Sequence, residues 1–328
     1  MPAPPAPPTI VSGDRGRALM RRPAVERKEN GFRFLTMGSG VAVLAVLALI
    51  AWSTTARSWD AFTSQGLGFI ISSEWAPNRG KFGALAFIYG TVVVSAIALA
   101  IAVPVSLGIA LFVTEAAPRR VRKGVGYVID LLAAIPSVVY GLWGLLVLAP
   151  TLEPIYEAVS SAVGETPVLS TFFGGQANGK SFMTAGIILA VMITPIVTSL
   201  SREVLLTVPG AQREAALALG ATRWETIRAS VLPWAKGGIT GSVMLGLGRA
   251  MGETIAVALV IGSSNQITTR LFSSGDAMPA VIVNEFPEAA DTHRAALIGL
   301  GVVLFALTIL VNVVARGIVK RSERRLAG

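Results

Sequence analysis

The sequence of 328 residues contains no cysteine, a single histidine and few charged residues. Without cysteine there is no disulfide framework, no thiolate metal site and no thiol nucleophile. One histidine leaves few other metal ligands, which argues against a metalloenzyme. Charged residues make up 14% of the chain, whereas a soluble domain contains about 25%. With 53% hydrophobic residues, this composition indicates an integral membrane protein.

In place of charged residues, the chain contains long apolar runs. Six of them reach the roughly 20 residues that a helix needs to cross a bilayer. They lie near residues 33–56, 83–114, 124–150, 182–206, 237–262 and 293–316. The expected fold class is therefore all-α, a polytopic membrane protein with six transmembrane helices.

These runs divide the chain into four predicted regions. Residues 1–32 are proline-rich and then basic, and we expect a disordered tail. Residues 33–82 hold the first transmembrane helix and its loop, and 83–318 form a core of five transmembrane helices. Residues 319–328 form a basic C-terminal tail.

Lysine and arginine are distributed unevenly among the segments that connect the spans. Most of the 28 basic residues fall in the two tails and in the second and fourth connecting segments. Because cytoplasmic segments carry an excess of positive charge, both termini are predicted to be cytoplasmic. The net charge of +9 is then a topology signal, and nucleic-acid binding is not needed to explain it.

Residues Gly174–Ser181 read GGQANGKS and match the pattern of a phosphate-binding P-loop. A P-loop needs a buried strand before it and a soluble helix after it. Here the segment lies in a long predicted loop, a transmembrane helix follows it, and the topology puts it on the side without ATP. We therefore expect a flexible loop whose Lys180 meets the membrane interface, and no nucleotide site.

Residues 208–233, called the coupling segment below, interrupt the apolar chain with two short charged helices. Gly220 is placed to end the first helix in a left-handed conformation. Thr222 and Glu225 form a capping-box pattern that starts the second, in which Trp224, Ile227 and Val231 make one apolar stripe. From the residues alone, the segment is either a docking element or an amphipathic hairpin that lies on the membrane.

Arg249 and Glu253 lie inside the fifth apolar run. A charge near the bilayer centre costs about 2.5–3.5 kcal/mol on insertion scales, so it normally faces protein or water. Their spacing of four predicts that they share one helix face. Two interpretations follow: a neutralised pair that holds two helices together, or an anion-handling site in which Arg249 attracts the substrate and Glu253 limits its affinity.

Prolines in the third and fourth spans predict helix breaks. Pro136 and Pro195 each free backbone groups that Ser137, Thr194 or Thr198 could satisfy. Transporters place substrates at discontinuous helices near the middle of the membrane, and a plain packing kink is the alternative. The histidine, His293, begins the sixth span and is expected at the interface.

The coupling segment resembles the EAA loop of ABC importer permeases, with Gly220 six residues after Glu214 and a Leu-Pro pair at its end. In that family the loop seats in a groove of the ATPase subunit. The resemblance implies that the contacting residues are Glu214, Ala215, Ala216, Gly220, Trp224, Leu232 and Pro233. Ser230 departs from the family pattern, which favours isoleucine there.

From about residue 80 onward, segments such as IPSVVYG, ITPIVTSLSREVLLTVP and LGLGRAMGETIAVALVIG resemble the C-type permease of the phosphate-specific ABC importers. This implies the type I importer-permease fold, in the bacterial inner membrane, with Arg249, Glu253 and Thr254 serving phosphate translocation. The implied partners are an A-type sister permease, two ATPase subunits that bind ATP and magnesium, and an extracytoplasmic phosphate-binding protein. The chain itself would hold no cofactor, metal or catalytic residue.

Three alternatives remain from the sequence. The first is the same machine for another oxyanion, such as phosphonate or sulfate. The second is an ion-coupled secondary transporter, in which Arg249 and Glu253 would form a proton relay. The third is a membrane scaffold or sensor that docks a cytoplasmic partner, for which Arg249 would not be needed.

Overall fold

The computed structural model describes residues 23–163 and 166–326, which are helical apart from one small hairpin and the loops. The helices are α1 (Pro23–Gln65), α2 (Gly68–Ile71), α3 (Leu85–Leu111), α4 (Arg119–Ala134), α5 (Ser137–Trp143), α6 (Ala149–Val163), α7 (Pro167–Phe173), α8 (Phe182–Leu206), α9 (Gly210–Ala218), α10 (Arg223–Thr226), α11 (Leu232–Gly252), α12 (Ile255–Val260), α13 (Met278–Glu285) and α14 (Asp291–Leu326). Strands β1 (Trp75–Ala76) and β2 (Lys81–Phe82) pair antiparallel around a 3₁₀ turn at Pro77–Arg79. Three π-helical turns, Phe112–Ala116, Gly144–Leu148 and Ile227–Val231, extend or join neighbouring helices.

Five helical stretches in the described residues are long and apolar enough to cross a membrane. They are Phe32–Gln65, Leu85–Ala116, Ser137–Val163, Phe182–Leu206 and Asp291–Gly317. The remaining predicted run, 237–262, is helical but is divided between α11 and α12. The chain is thus an all-helical polytopic membrane protein, as the composition predicted.

The chain divides after Ser53 into two compact units. In the first unit, the described residues form the N-terminal part of α1, where apolar side chains such as Leu44 and Leu49 are exposed. Such a helix suits a lipid environment, because lipid covers apolar side chains that water would not. Since α1 begins at Pro23, residues 23–32 are helical where the sequence predicted disorder. Residues 1–22 of that predicted tail lie outside the described residues.

The third span begins later than predicted. Helix α4 ends at Ala134, and Ile135 and Pro136 are extended, with ψ angles of 128° and 140°. Proline disfavours a helical conformation in the residue before it and has no backbone N–H to donate. The span therefore runs over Ser137–Val163 rather than 124–150, and the break predicted at Pro136 is present. Much of the predicted loop 151–181 is helical, in α6 and α7.

The break predicted at Pro195 is absent. Helix α8 is continuous through this buried proline, and it packs against α3 and α11. Thr194 Oγ1 donates to the Ala190 carbonyl at 2.7 Å, and Ser106 Oγ donates to the Thr194 carbonyl at 3.1 Å. A Cβ on Gly246 of α11 would lie 2.6 Å from the Val197 side chain. This close packing on both sides holds α8 helical where the proline alone would favour a break.

A cap closes the end of α8 that lies away from the coupling segment. We use this name for residues 263–290. Phe182 N and Met183 N, at the start of α8, donate to the carbonyls of Ser273 and Leu271 at 3.2 and 3.0 Å. Gly275 lies directly against the Phe182 ring, and Gly90 of α3 lies against the Asp276 carbonyl. Any larger side chain at either glycine would push the cap away from the spans.

Glu285 of the cap joins it to the β-hairpin and to α14. Its Oε2 accepts a hydrogen bond from Trp75 Nε1 at 2.9 Å and lies 2.8 Å from His293 Nε2. The His293 ring stacks on Phe82 with the ring centres 5.8 Å apart. His293 was expected to be an interfacial surface residue, but its side chain is only 19% exposed because its ring packs against this cluster.

The buried carboxyl of Asp276 predicts a pH dependence of stability. Burial raises the pKa of Asp276 to about 7, and the charge of Glu285 acts in the same direction. The folded protein then keeps a proton that the unfolded chain loses above about pH 4. Unfolding free energy should therefore fall as the pH rises from about 4 to about 7. Asp276→Asn should remove this part of the dependence.

Thermal unfolding midpoints at about pH 5 and about pH 8 measure the effect. The drop in midpoint between the two should be clearly smaller in Asp276→Asn than in the native chain. Glu288→Gln, which changes an exposed carboxylate of the same cap, should keep the native drop. An equal drop in all three proteins would contradict the assignment.

Candidate functional site

The first helix of the coupling segment, α9, ends at a left-handed glycine, as predicted. Gly220 has a φ of +85°. Its N–H donates to the Leu217 carbonyl at 3.0 Å, and the next N–H, of Ala221, donates to the Ala216 carbonyl at 3.2 Å. These bonds satisfy carbonyls that the end of a helix otherwise leaves without partners. The turn sets the direction in which the second helix begins.

The second helix starts with the predicted capping box. Glu225 Oε2 accepts from the Thr222 N–H at 2.7 Å and from its hydroxyl at 2.8 Å, and Thr222 Oγ1 accepts from Glu225 N at 3.3 Å. The hydrogen bonds from the Thr222 backbone and hydroxyl lower the pKa of the Glu225 carboxyl. The box fixes the start of a helix that continues through α10, the π-helical turn and α11.

The predicted apolar stripe of the second helix divides between two surroundings. Val231 is buried with Ala110, Leu205 and Val208 in a cluster at the ends of α3 and α8. Trp224, in contrast, is 62% exposed, and Leu219, at the end of α9, is 89% exposed. Val231 thus attaches the coupling segment to α3 and α8, while Trp224 and Leu219 give the tip of the segment an exposed apolar surface.

The other predicted contact residues lie on two parts of the segment. Glu214 and Ala215 are exposed on α9, Ala216 is half-buried there, and Gly220 is exposed at the turn. Leu232 and Pro233 form the first turn of α11 instead. The structure therefore brings together the EAA sequence, Gly220 and Trp224 at one exposed end, with Leu232 and Pro233 at the base of the following helix.

Helix α11 ends immediately after the predicted intramembrane charges. Glu253 is extended, with a ψ of 125°, and α12 begins at Ile255. Thr254 Oγ1 donates to the Gly252 carbonyl at 3.2 Å, and Glu253 Oε1 accepts from Ala256 N at 3.5 Å. The prediction that Arg249 and Glu253 share one helix face is therefore wrong, because Glu253 lies outside the helix.

The two charges face different surroundings. Within residues 246–260, which the structure describes fully, no ion pair joins Arg249 to Glu253. Arg249 is exposed in the isolated chain, and its charge reaches the hydroxyl of Tyr140. That hydroxyl donates to the Leu132 carbonyl at 2.9 Å, across the break at Pro136. Arg249 is thus positioned near the start of the third span.

Glu253 faces α3 instead. It lines a cavity of about 10 Å³ with Thr91 and Ser95, on the order of the space that one water molecule needs. Ser95 Oγ is buried and has no hydrogen-bond partner in the described residues. Sequence reasoning missed Tyr140 and Ser95; the available signal was a polar side chain inside an apolar run.

The P-loop-like residues fold as part of the loops at the cap. Helix α7 precedes them and the membrane-spanning α8 follows them, so the buried strand that a P-loop needs is replaced by a helix. Asn178 N donates to the Phe272 carbonyl at 3.0 Å, and the Lys180 carbonyl accepts from Ser274 Oγ at 2.9 Å. Ser181 caps α8 by accepting from Thr184 N. The backbone is engaged with the protein rather than open to a phosphate.

Comparison with known proteins gives both a family and close relatives. Residues 102–328 match the family model described as binding-protein-dependent transport system inner membrane component. The chain is 44% identical over 296 residues to a phosphate transport system permease protein PstC of Mesorhizobium japonicum, covering 90% of each chain. It is 41% identical over 308 residues to PstC 2 of Mycobacterium tuberculosis, covering 92% of this chain and 94% of the relative.

Solved structures of transport proteins share the fold. A chain of a bacterial alginate ABC transporter, in complex with a periplasmic protein that carries an alginate pentasaccharide, matches with a TM-score of 0.60 and 15% identity, covering 90% of this chain and 97% of that one. A chain of the MetNI methionine ABC transporter in an inward-facing conformation matches with a TM-score of 0.54 and 15% identity, covering 72% of this chain and 94% of that one. At these identities the likeness concerns the fold.

The left-handed turn at Gly220 can be tested by substitution. Gly220→Ala places a Cβ in a conformation that costs roughly 1–2 kcal/mol, whereas Gly220→Asn should be milder because asparagine tolerates it. The exposed segment should then be cut faster by trypsin in Gly220→Ala than in Gly220→Asn. Gly241→Ala, at an open helical position of α11, is the control. Equal cleavage of all variants would show that the turn does not depend on this glycine.

The P-loop match can be tested on the purified chain. A fluorescent ATP analogue should show no saturable binding, because the backbone of this segment already bonds within the protein. Lys180→Ala should leave both the binding signal and the thermal unfolding midpoint unchanged, since the Lys180 side chain is exposed. Saturable binding that Lys180→Ala abolishes would overturn this assignment.

Proposed function

The chain belongs to the family of binding-protein-dependent transport system inner membrane components, and on that premise we propose that it is the phosphate-translocating permease of an ABC importer. It is a multi-pass inner membrane subunit, and the hydrolysis of ATP belongs to a partner. Support for phosphate comes from the function named for its relatives. The observation that carries the mechanism is the unbroken helix that joins the coupling segment to Arg249.

That helix forms a rod from Arg223 to Gly252, made of α10, the π-helical turn and α11. About 30 residues at 1.5 Å each give a length of about 45 Å, enough to reach from the coupling segment into the membrane. One end carries the exposed Trp224, and Arg249 lies near the other. When the ATPase subunits bind ATP and move the coupling segment, the rod moves Arg249 with it.

The break at 253–254 allows this movement without disturbing the cap. Beyond it, α12 is fixed in the core by the buried side chains of Ala256, Val257 and Val260, and it packs against α5, α8 and α13. The rod tilts about the break while α12 stays in place. Such tilting opens the pathway first to one side of the membrane and then to the other.

Arg249 is the residue that we assign to the anion. A guanidinium binds two oxygens of a phosphate at once, which an ammonium does not. Since Glu253 interacts with α12 and α3, the guanidinium of Arg249 remains available to the substrate. Glu253 still contributes a nearby negative charge, which keeps the affinity low enough for release. Thr254 shapes the break between them.

The orientation and the partners follow from charge and from the family. The basic residues around the coupling segment support cytoplasmic termini and a position of the segment on the ATP-bearing side. The complex includes an ATPase and a periplasmic binding protein. In finer detail, we assign an A-type sister permease that faces Arg249, two copies of the ATPase, and a binding protein that carries phosphate.

Uptake of radiolabelled phosphate in cells that lack this chain tests the function. Reintroducing the chain should restore uptake that depends on ATP and survives collapse of the proton gradient. Sulfate and phosphonate should compete poorly. Strong competition by either one would assign the chain to that oxyanion, and uptake that disappears with the proton gradient would indicate a secondary transporter.

Substitution of Arg249 distinguishes a substrate contact from a structural charge. A hydrogen bond to a charged group contributes about 1.5–3 kcal/mol, so Arg249→Gln should reduce uptake roughly 10- to 100-fold while the complex stays assembled. Arg249→Lys should retain part of the activity, and Arg316→Gln, at an exposed arginine of α14, should retain all of it. Dissociation of the Arg249→Gln complex would mean that the charge holds helices together.

A further inference from the structure

Arg213 joins the first helix of the coupling segment to two other spans. Its Nη2 donates to Glu115 Oε1 at 2.9 Å and to the Leu205 carbonyl at 3.0 Å. Its Nη1 donates to the Val208 carbonyl at 2.8 Å. Glu115 belongs to the π-helical turn that ends α3, and Leu205 lies in the last turn of α8. One guanidinium therefore bonds to the end of α3 and to the residues at and just after the end of α8.

Both attachment points are themselves fixed. Thr114, next to Glu115, donates its hydroxyl to the Ala110 carbonyl at 2.9 Å, and its carbonyl accepts from Arg122 Nη2 at 2.8 Å. At the end of α8, the last carbonyls have no partner within the helix, and Arg213 supplies donors there. Leu205 itself is fully buried. A displacement of Arg213 would therefore be passed to α3 and α8 themselves.

The contact is partly shielded from water. The Glu115 side chain is 17% exposed and that of Arg213 is 26% exposed. Removing one member of a shielded pair leaves the other charge without a partner, which is costly. Apolar contacts such as Val231 against Leu205 have no preferred direction, whereas a guanidinium with several hydrogen bonds fixes the angle between the elements.

Few other contacts would hold α9 in place. Ser230 Oγ donates to the Gln212 carbonyl at 3.2 Å, which joins the two helices of the coupling segment to each other. Arg223 lines the same cavity of about 280 Å³ as Glu115 and Arg213. Glu115 forms an ion pair with Arg213 in the part of the chain whose side chains the structure describes.

We propose that Arg213, with Glu115, is a positioning residue of the transport cycle that passes movement of the coupling segment to α3 and α8. The rod then moves Arg249, and at the same time this ion pair moves the ends of α3 and α8, which pack against the rod. The proposal rests on the proposed function, because it needs a partner that moves the segment. It adds a second mechanical connection, at a residue that touches neither the substrate nor the exposed tip.

The test uses the complete transport complex in proteoliposomes. Phosphate imported per ATP hydrolysed is compared for the native chain, Arg213→Gln, Glu115→Gln and the double variant. We expect each single variant to keep its ATPase subunits and its ATP hydrolysis, and to import about tenfold less phosphate per ATP. The double variant should be no worse than either single one, because both remove the same connection. Glu203→Gln, at an exposed carboxylate of α8, should keep the native ratio.

The outcomes separate this inference from the proposed function. If the native complex imports no phosphate with ATP, the proposed function fails. If it does, and Arg213→Gln keeps the native ratio, the ion pair transmits nothing and the inference is wrong. If the complex with Arg213→Gln does not assemble, Arg213→Lys is measured instead. Lysine keeps a positive charge next to Glu115 but lacks the planar set of N–H donors of a guanidinium. An intermediate ratio supports the connection, and a native ratio contradicts it.

Discussion

Inside a membrane, a helix can be interrupted only where protein groups take over the hydrogen bonds that its backbone loses. The break at Pro136, where the third span begins, meets this condition, and so does the break at Glu253. At the first, Tyr140 donates to the Leu132 carbonyl, and at the second, Thr254 and Glu253 bond to Gly252 and Ala256. Both breaks lie beside Arg249, so the irregular backbone surrounds the charge that we assign to the substrate.

This arrangement separates a part of the molecule that stays in place from a part that moves. The cap is packed against α3 and α8 through Gly90 and Gly275, where a side chain would not fit, and α12 is buried in the core. The coupling segment instead exposes Trp224 and Leu219 and continues into a long helix. Because this helix is continuous from Arg223 to Gly252, we expect displacement at one end to appear at the other. The Arg213–Glu115 pair adds to that displacement the ends of α3 and α8 that lie next to the coupling segment.

Local features were predicted from the sequence, and features that depend on distant contacts were not. The turn at Gly220 and the capping box at Thr222 depend on residues within a few positions, so their pattern was sufficient. Pro195 failed as a break because α3 and α11 pack around it. The break at Glu253 was missed because no proline marks it. Arg213 and Glu115 are 98 positions apart, so their contact needs the folded chain.

The central claim is that the rod from Arg223 to Gly252 moves as one body about the break after it. Because the chain has no cysteine, spin labels can be attached at introduced cysteines in the assembled complex. With labels at Ala229 and Leu245, both exposed on the rod, the distance should not change when ATP binds. With labels at Leu245 and Val283 of the cap, it should change by several ångströms. A change within the rod, or none across the break, would contradict the account.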